Sequence, residues 1–293
     1  MNLTVTVLQI VAPVFFLAGI GFVWVKVGLE YRIQFVTQLA MTLSLPCLIF
    51  VSLMQTRIDP AALTALSLAS VVAYALITVA FLCLVRGLRL SSRTYTAPLI
   101  FGNTGNLGLP LALFAFGDIG LSYAIIVFAV MALWSYTFGI WLVAGAGSFS
   151  KVLREPLVWG TVLGAVFLWQ GWETPAYVTN TLSLIGQMAI PIMLITLGVA
   201  VARLSARGLL QAAGLSLVKL CLCTGIAWSV GGFFELDPTA FGVLVLQVAT
   251  PVAVTSYLLA EKYGADAPSV AGLVVASTLI SIAALPLILA AVL

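Results

Sequence analysis

Histidine is absent from this 293-residue chain, and charge is scarce: 12 Lys and Arg with 9 Asp and Glu amount to 7% of the residues. Soluble domains carry roughly 25% charged residues, so a water-soluble fold is excluded. Cysteine is limited to Cys47, Cys83, Cys221 and Cys223, all in apolar stretches. Cys221 and Cys223 would point to different sides of a helix and have no His or carboxylate cluster beside them. They read as buried free thiols, and no metal or other cofactor is expected. The net charge of +3 is small and dispersed, which argues against a nucleic-acid partner. No basic stretch precedes the first apolar segment, so that segment reads as a retained helix rather than a cleaved signal. A nucleophile–base pair and a phosphate-cradling loop are also missing. The spacing Gly102-x-x-Gly105-x-x-Gly108 is not the dinucleotide fingerprint and has no βαβ surroundings, so an enzyme is not expected.

What the chain does have is hydrophobicity: 63% of residues are apolar and the mean hydropathy is +1.22. This predicts an all-α integral membrane protein whose main partner is the lipid bilayer. Charges and turn residues divide it into ten apolar segments, 3–25, 33–55, 61–85, 94–117, 120–146, 155–170, 177–202, 208–234, 238–260 and 267–292. A span needs roughly 20 residues, and only the sixth falls short. Ten of the twelve basic residues fall in alternate connections: Lys26, Arg32, Arg86, Arg89, Arg93, Lys151, Arg154, Arg203, Arg207 and Lys262. By the positive-inside rule these connections are cytoplasmic, and both termini lie outside the cytoplasm.

The halves echo one another. Pro13, Pro46 and Pro110 recur as Pro156, Pro191 and Pro251, at nearly constant spacing. Five spans is an odd number, so a second unit of five enters the membrane upside down. The expectation is therefore two inverted five-helix repeats, 1–146 and 147–293, with interrupted helices in segments 4 and 9. Inverted repeats broken in matching places are a signature of secondary transporters with a site near the midplane.

The stretch Gly102-Asn103-Thr104-Gly105-Asn106-Leu107-Gly108-Leu109-Pro110 carries helix-breaking residues at membrane depth. Backbone left unpaired in lipid costs several kcal/mol per group, so such a break belongs against protein or a water-filled cavity. The expected breaks are at Pro110 and Pro251. Asn103 and Asn106 share a face if the segment before the break is helical. Their amides either bond neighbouring helices or meet a polar substrate group. Half-helix N-termini at the breaks favour an anion such as a carboxylate. Gln247 stands four residues before Pro251, where the proline leaves a carbonyl without its usual donor. Lys219 stands 11 residues past Gly208 and 15 before Phe234, about 16 and 22 Å from the ends of segment 8 at 1.5 Å per residue. It acts either as a structural hydrogen-bond donor or as a fixed or titrating positive charge near the crossing.

Asn103-Thr104 followed by Gly108-Leu109-Pro110-Leu111, Gln247-Val248-Ala249-Thr250-Pro251, Ala260-Glu261-Lys262-Tyr263-Gly264, Ser277-Thr278-Leu279-Ile280-Ser281 and Leu285-Pro286-Leu287 resemble the auxin efflux carrier family. That family includes the plant PIN proteins and bacterial organic-acid carriers. The resemblance implies ten transmembrane helices of the bile-acid-symporter and sodium–proton-antiporter type, with segments 1, 2, 6 and 7 as scaffold and segments 3–5 and 8–10 as a moving domain. It also implies an elevator-like carrier of small organic anions such as auxin, malate or malonate, dimeric through the scaffold, in a bacterial inner membrane. By position, Asn103 and Pro110 match substrate-contacting and crossover residues, Pro251 the second crossover and Gln247 a family glutamine. The plant proteins lack the Gly105–Asn106 dipeptide, which leaves the role of Asn106 open. An anion channel and a membrane ligand sensor are the competing expectations.

Overall fold

The computed structural model describes residues 3–56, 58–144, 156–204 and 208–293. Arg57, Lys151, Arg154 and Arg207, and the expected boundary between halves at 146/147, lie outside these residues. Helix α1 (Leu3–Lys26) is followed by α2 (Ile33–Leu39), which passes through a wide π turn at Ala40–Ser44 into α3 (Leu45–Gln55). Helix α4 (Pro60–Gly87) leads to α5 (Ser92–Ile100), a second π turn at Thr104–Gly108 and α6 (Leu109–Trp134). A third π turn, Ser135–Gly139, precedes α7 (Ile140–Ala144). The remaining helices are α8 (Pro156–Gln170), α9 (Ala176–Gln187), α10 (Ala189–Arg203), α11 (Leu209–Phe233), α12 (Pro238–Val248), α13 (Val254–Tyr263) and α14 (Ala267–Val292).

Helix lies over each of the ten apolar segments. Among the described residues, seven stretches are by themselves long and apolar enough to cross a bilayer, among them Val5–Lys26, Ile33–Gln55 and Ala267–Val292. Helices α8 and α12 are apolar but shorter; α8 matches the brief sixth segment, while α12 covers only the first half of the ninth. Three helices start at an aspartate followed closely by proline. Asp59 accepts from Ala61 N at 3.0 Å, Asp237 from Thr239 N and Ala240 N at 3.0 Å, and Asp266 from Ser269 N at 3.2 Å. The carboxylate satisfies donors that a helix start leaves open, and proline in the first turn loses nothing there.

The 40-residue helical run Thr104–Val143 is not a single rod. Gly117 has φ 66° and ψ −156°, and a Cβ on Gly120 would lie 2.7 Å from the carbonyl oxygen of Ala112. Eight residues of straight helix would separate them by about 12 Å. The chain therefore folds back at Gly117, where segments 4 and 5 were divided. The proline echoes are less regular than their spacing. Pro13 stays within α1, Pro156 opens α8, and Pro46 and Pro191 sit just inside α3 and α10.

Packing sorts the helices into two groups. Helix α1 lies mainly against α10, and α3 lies against α8 and α9. In the other group α6 packs on α12 and α4, and α11 on α14 and α12. One end of the molecule carries Arg86, Arg89, Arg93 and Lys262. There the Arg93 guanidinium donates to the carbonyls of Val143 and Tyr263, at 2.7 and 2.5 Å. The Tyr123 hydroxyl donates to Asp237 at 2.8 Å at the other end, which also holds Asp59 and Asp118. The expectation of four buried thiols needs correction: Cys223 is buried, Cys47 half-buried, and Cys83 and Cys221 are exposed on outward helix faces.

Candidate functional site

Two interruptions meet inside the apolar core. Helix α5 ends at Ile100 and the chain continues through extended Phe101, with φ −92° and ψ 118°. Helix α12 ends at Val248, and the chain stays open to Ala253, which has φ −66° and ψ 136°. Gly102 and Val252 face each other as a single antiparallel bridge. Asn103 N donates to the Pro251 carbonyl at 2.7 Å and Ala253 N to that of Phe101 at 3.4 Å. Val252 N donates to Ser277 Oγ at 3.0 Å, and Thr250 Oγ1 to the Gln247 carbonyl at 2.7 Å. Each break supplies partners that hydrocarbon could not, which is why both persist at this depth.

The first break is not where the proline suggested. Pro110 is the second residue of α6, inside helix, and the chain opens seven to nine residues earlier. The missing donor at Pro110 is absorbed by the π turn: Leu107 N and Gly108 N both bond the Asn103 carbonyl at 3.1 Å, and Leu109 N bonds that of Thr104. Pro251, by contrast, lies in the break itself. The Gln247 carbonyl, expected to be left over, is taken by the Thr250 hydroxyl.

Around the crossing several polar groups are buried without partners. Asn103 is 5% exposed, and its Nδ2 is unbonded, as is Oγ1 of the adjacent Thr104. Gln247 is fully buried with both amide atoms unbonded. It sits against Gly108, where a Cβ would run into Gln247 Oε1. A side chain at 108 would have to displace the Gln247 amide. Buried amides are nearly always bonded, so such a group of orphans marks a place for a ligand or water. Asn103 has non-helical backbone (φ −81°, ψ 51°), so the shared helical face with Asn106 does not form. Asn106 is half-buried within the π turn.

Lys219 on α11 is 2% exposed. Its Nζ lies 3.9 Å from Cys223 Sγ, and it shares a small void with Ser216, Thr250, Pro251, Ser277 and Ser281. The ion pair found among the described residues, Arg32–Glu30 at 2.7 Å, is at the surface, and none of the described carboxylates pairs with Lys219. The fold thus brings Asn103, Gln247, Pro251 and Lys219 around one crossing, while Asn106 and Pro110 lie farther into the second half-helix. Ser277, Thr250 and Thr104 were not singled out as site residues, although all three fall in the family-like motifs. Pro98, three residues before the first break, was the closer sequence signal.

The N-terminal ends of the Thr104–Trp134 run and of α13 both start at the crossing, so two positive half-dipoles converge there. A cavity of about 280 Å³ borders it, lined by Met41, Phe101, Phe128, Leu157, Ala253 and Lys262. A second, of about 550 Å³, opens toward the acidic end and is lined by residues including Leu48, Gln55, Phe114, Asp118, Gln187 and Pro191. Both lie between the two packing groups.

A helical membrane protein whose interrupted segments cross in the core, with a cavity toward either end, has the build of a transporter. The family described as "Membrane transport protein" matches residues 6–152 and 146–289. The chain belongs to this family, the auxin efflux carriers, which are transporters rather than enzymes. An uncharacterized transporter from Methanocaldococcus jannaschii is 24% identical over 197 residues, covering 62% of this chain and 63% of its own length. The chain therefore matches less than two thirds of that relative.

Proposed function

We propose that the chain is a secondary carrier of small organic anions in a bacterial inner membrane, working by elevator-like alternating access. The observation that carries this reading is the crossing itself, where unbonded amides of Asn103 and Gln247 meet two half-helix N-termini beside a cavity. A carboxylate would accept hydrogen bonds from the Asn103 amide and from the free N–H groups, with Lys219 adding positive potential. The group containing α4–α6 and α11–α14 would slide against the group of α1, α3 and α8–α10, exposing the anion to one cavity and then the other. In this reading the ten helical segments are ten spans in two inverted repeats. The antiparallel pairing of Gly102 with Val252 is what such a symmetry would produce at its axis. The basic ends face the cytoplasm, both termini face away from it, and two copies associate through the static group.

Counterflow in proteoliposomes tests the function. Saturable uptake of a labelled organic anion, accelerated by unlabelled anion inside, is expected of a carrier; a channel shows no such acceleration. Asn103→Ala should weaken the apparent affinity by roughly 10- to 100-fold, because a hydrogen bond to a charged group contributes about 1.5–3 kcal/mol. Wild-type flux from this variant, at equal incorporation, would remove Asn103 from the site.

A further inference from the structure

Lys219 is a buried cation for which the described protein supplies no counter-charge. Its helix, α11, packs on α12, α14, α4 and α5. On these elements the other charged side chains are Arg86 and Arg93, both at the basic end of the molecule. The titratable neighbours are Cys223 on the same helix and Tyr74 of α4, which faces Cys223. Every described acidic residue lies at a helix end or in a connection: Glu30, Asp59, Asp118, Glu173, Glu235, Asp237, Glu261 and Asp266. What does surround the ammonium is dipolar. Ser216 Oγ is buried and unbonded, Ser277 and Thr250 line the same void, and the carbonyl end of α12 stops beside it at Val248. A helix C-terminus attracts a cation, so the site is fitted to an ammonium but does not neutralise it.

From this geometry we infer that Lys219 makes the loaded carrier, not the empty one, electrically neutral for a monoanionic substrate. The inference rests on the carrier reading given above. Lys219 belongs to the packing group that contains the crossing, so its charge travels with the bound anion. With a monocarboxylate in place the two charges cancel, and the loaded step is indifferent to membrane potential. The empty carrier returns bearing one positive charge, and this return is the step that an inside-negative potential drives. A dicarboxylate leaves the loaded carrier with one negative charge, so its loaded step responds to potential. No proton or sodium ion is required for either effect.

The experiment uses the full chain in proteoliposomes, with potassium and valinomycin setting 0 or 100 mV. Labelled indole-3-acetate serves as the monoanion and labelled malonate as the dianion. One charge carried fully across 100 mV shifts an equilibrium by roughly 50-fold, and partial passage leaves several-fold. Wild-type counterflow of the monoanion should change less than about twofold with potential, while malonate counterflow and net monoanion efflux change several-fold. Lys219→Met should make monoanion counterflow voltage-sensitive, and Lys219→Arg should keep the wild-type pattern. If the Met variant does not incorporate, the two probes on the wild-type protein decide the matter. Monoanion counterflow that responds several-fold in the wild type, or a Met variant indistinguishable from it, overturns the inference and leaves the carrier reading standing. Absence of counterflow for both probes overturns both.

Discussion

Adding one methyl group at Gly108 tests the crossing directly. A Cβ there would collide with Gln247 Oε1 and stand 2.8 Å from Cδ and 3.2 Å from Nε2. Gln247 is fully buried, so its amide can give way only by displacing the side chains packed around it. Overpacking of this kind costs about 1–3 kcal/mol. At about 2–4 °C per kcal/mol for a chain of this size, Gly108→Ala should lower the melting temperature by roughly 2–12 °C, followed by tryptophan fluorescence in one detergent. Gln247→Ala clears the space, so the double variant should recover part of the loss, with a coupling of about 0.5–3 kcal/mol. Gly214→Ala is the control. Nothing lies within 4 Å of its added Cβ, and alanine favours helix, so its melting temperature should hold or rise. Strictly additive losses from Gly108→Ala and Gln247→Ala, or a Gly108→Ala variant as stable as wild type, would refute the close contact.

Other expectations follow from the same geometry. Ser277→Ala leaves Val252 N without its acceptor and should destabilise by about 1–3 kcal/mol, with hydrogen exchange at Val252 rising more than at Val243 in the middle of α12. Thr250→Val removes the 2.7 Å hydroxyl donor from the Gln247 carbonyl and leaves it the longer bond from the backbone N–H of residue 250, at 3.4 Å; it should cost about 0.5–1.5 kcal/mol, and Thr250→Ser should restore most of it. Burial pushes the Tyr31 hydroxyl above its ordinary 10.0, only partly offset by the bond to Thr196. Its contribution to stability is therefore complete below pH 10 and lost as the pH rises beyond that. Melting temperatures measured across that range should fall, and Thr196→Val should move the ultraviolet titration of Tyr31 to still higher pH. Single cysteines placed at Glu235 and at Arg89, in a protein cleared of its own thiols, should react with an impermeant maleimide from opposite faces of the membrane. Labelling from one face would contradict the basic and acidic ends.

Composition was enough to read this chain as a helical membrane protein, because burying apolar surface in lipid is a local gain summed along the sequence. The Asp-Pro starts of α4 and α12 and the turn at Gly117 were legible for the same reason: each is decided by a residue's own backbone and nearest neighbours. The position of the first break was not. Pro110 marks a missing donor, but a π turn accommodates that loss within six residues. Where the helix opens is settled by where unpaired backbone finds a partner, and for residues 101–103 that partner lies some 150 residues away, at 251–253. Lys219 shows the same division. Its depth could be counted from the sequence, but its place beside Thr250, Pro251 and Ser277 exists only once α11, α12 and α14 have packed together.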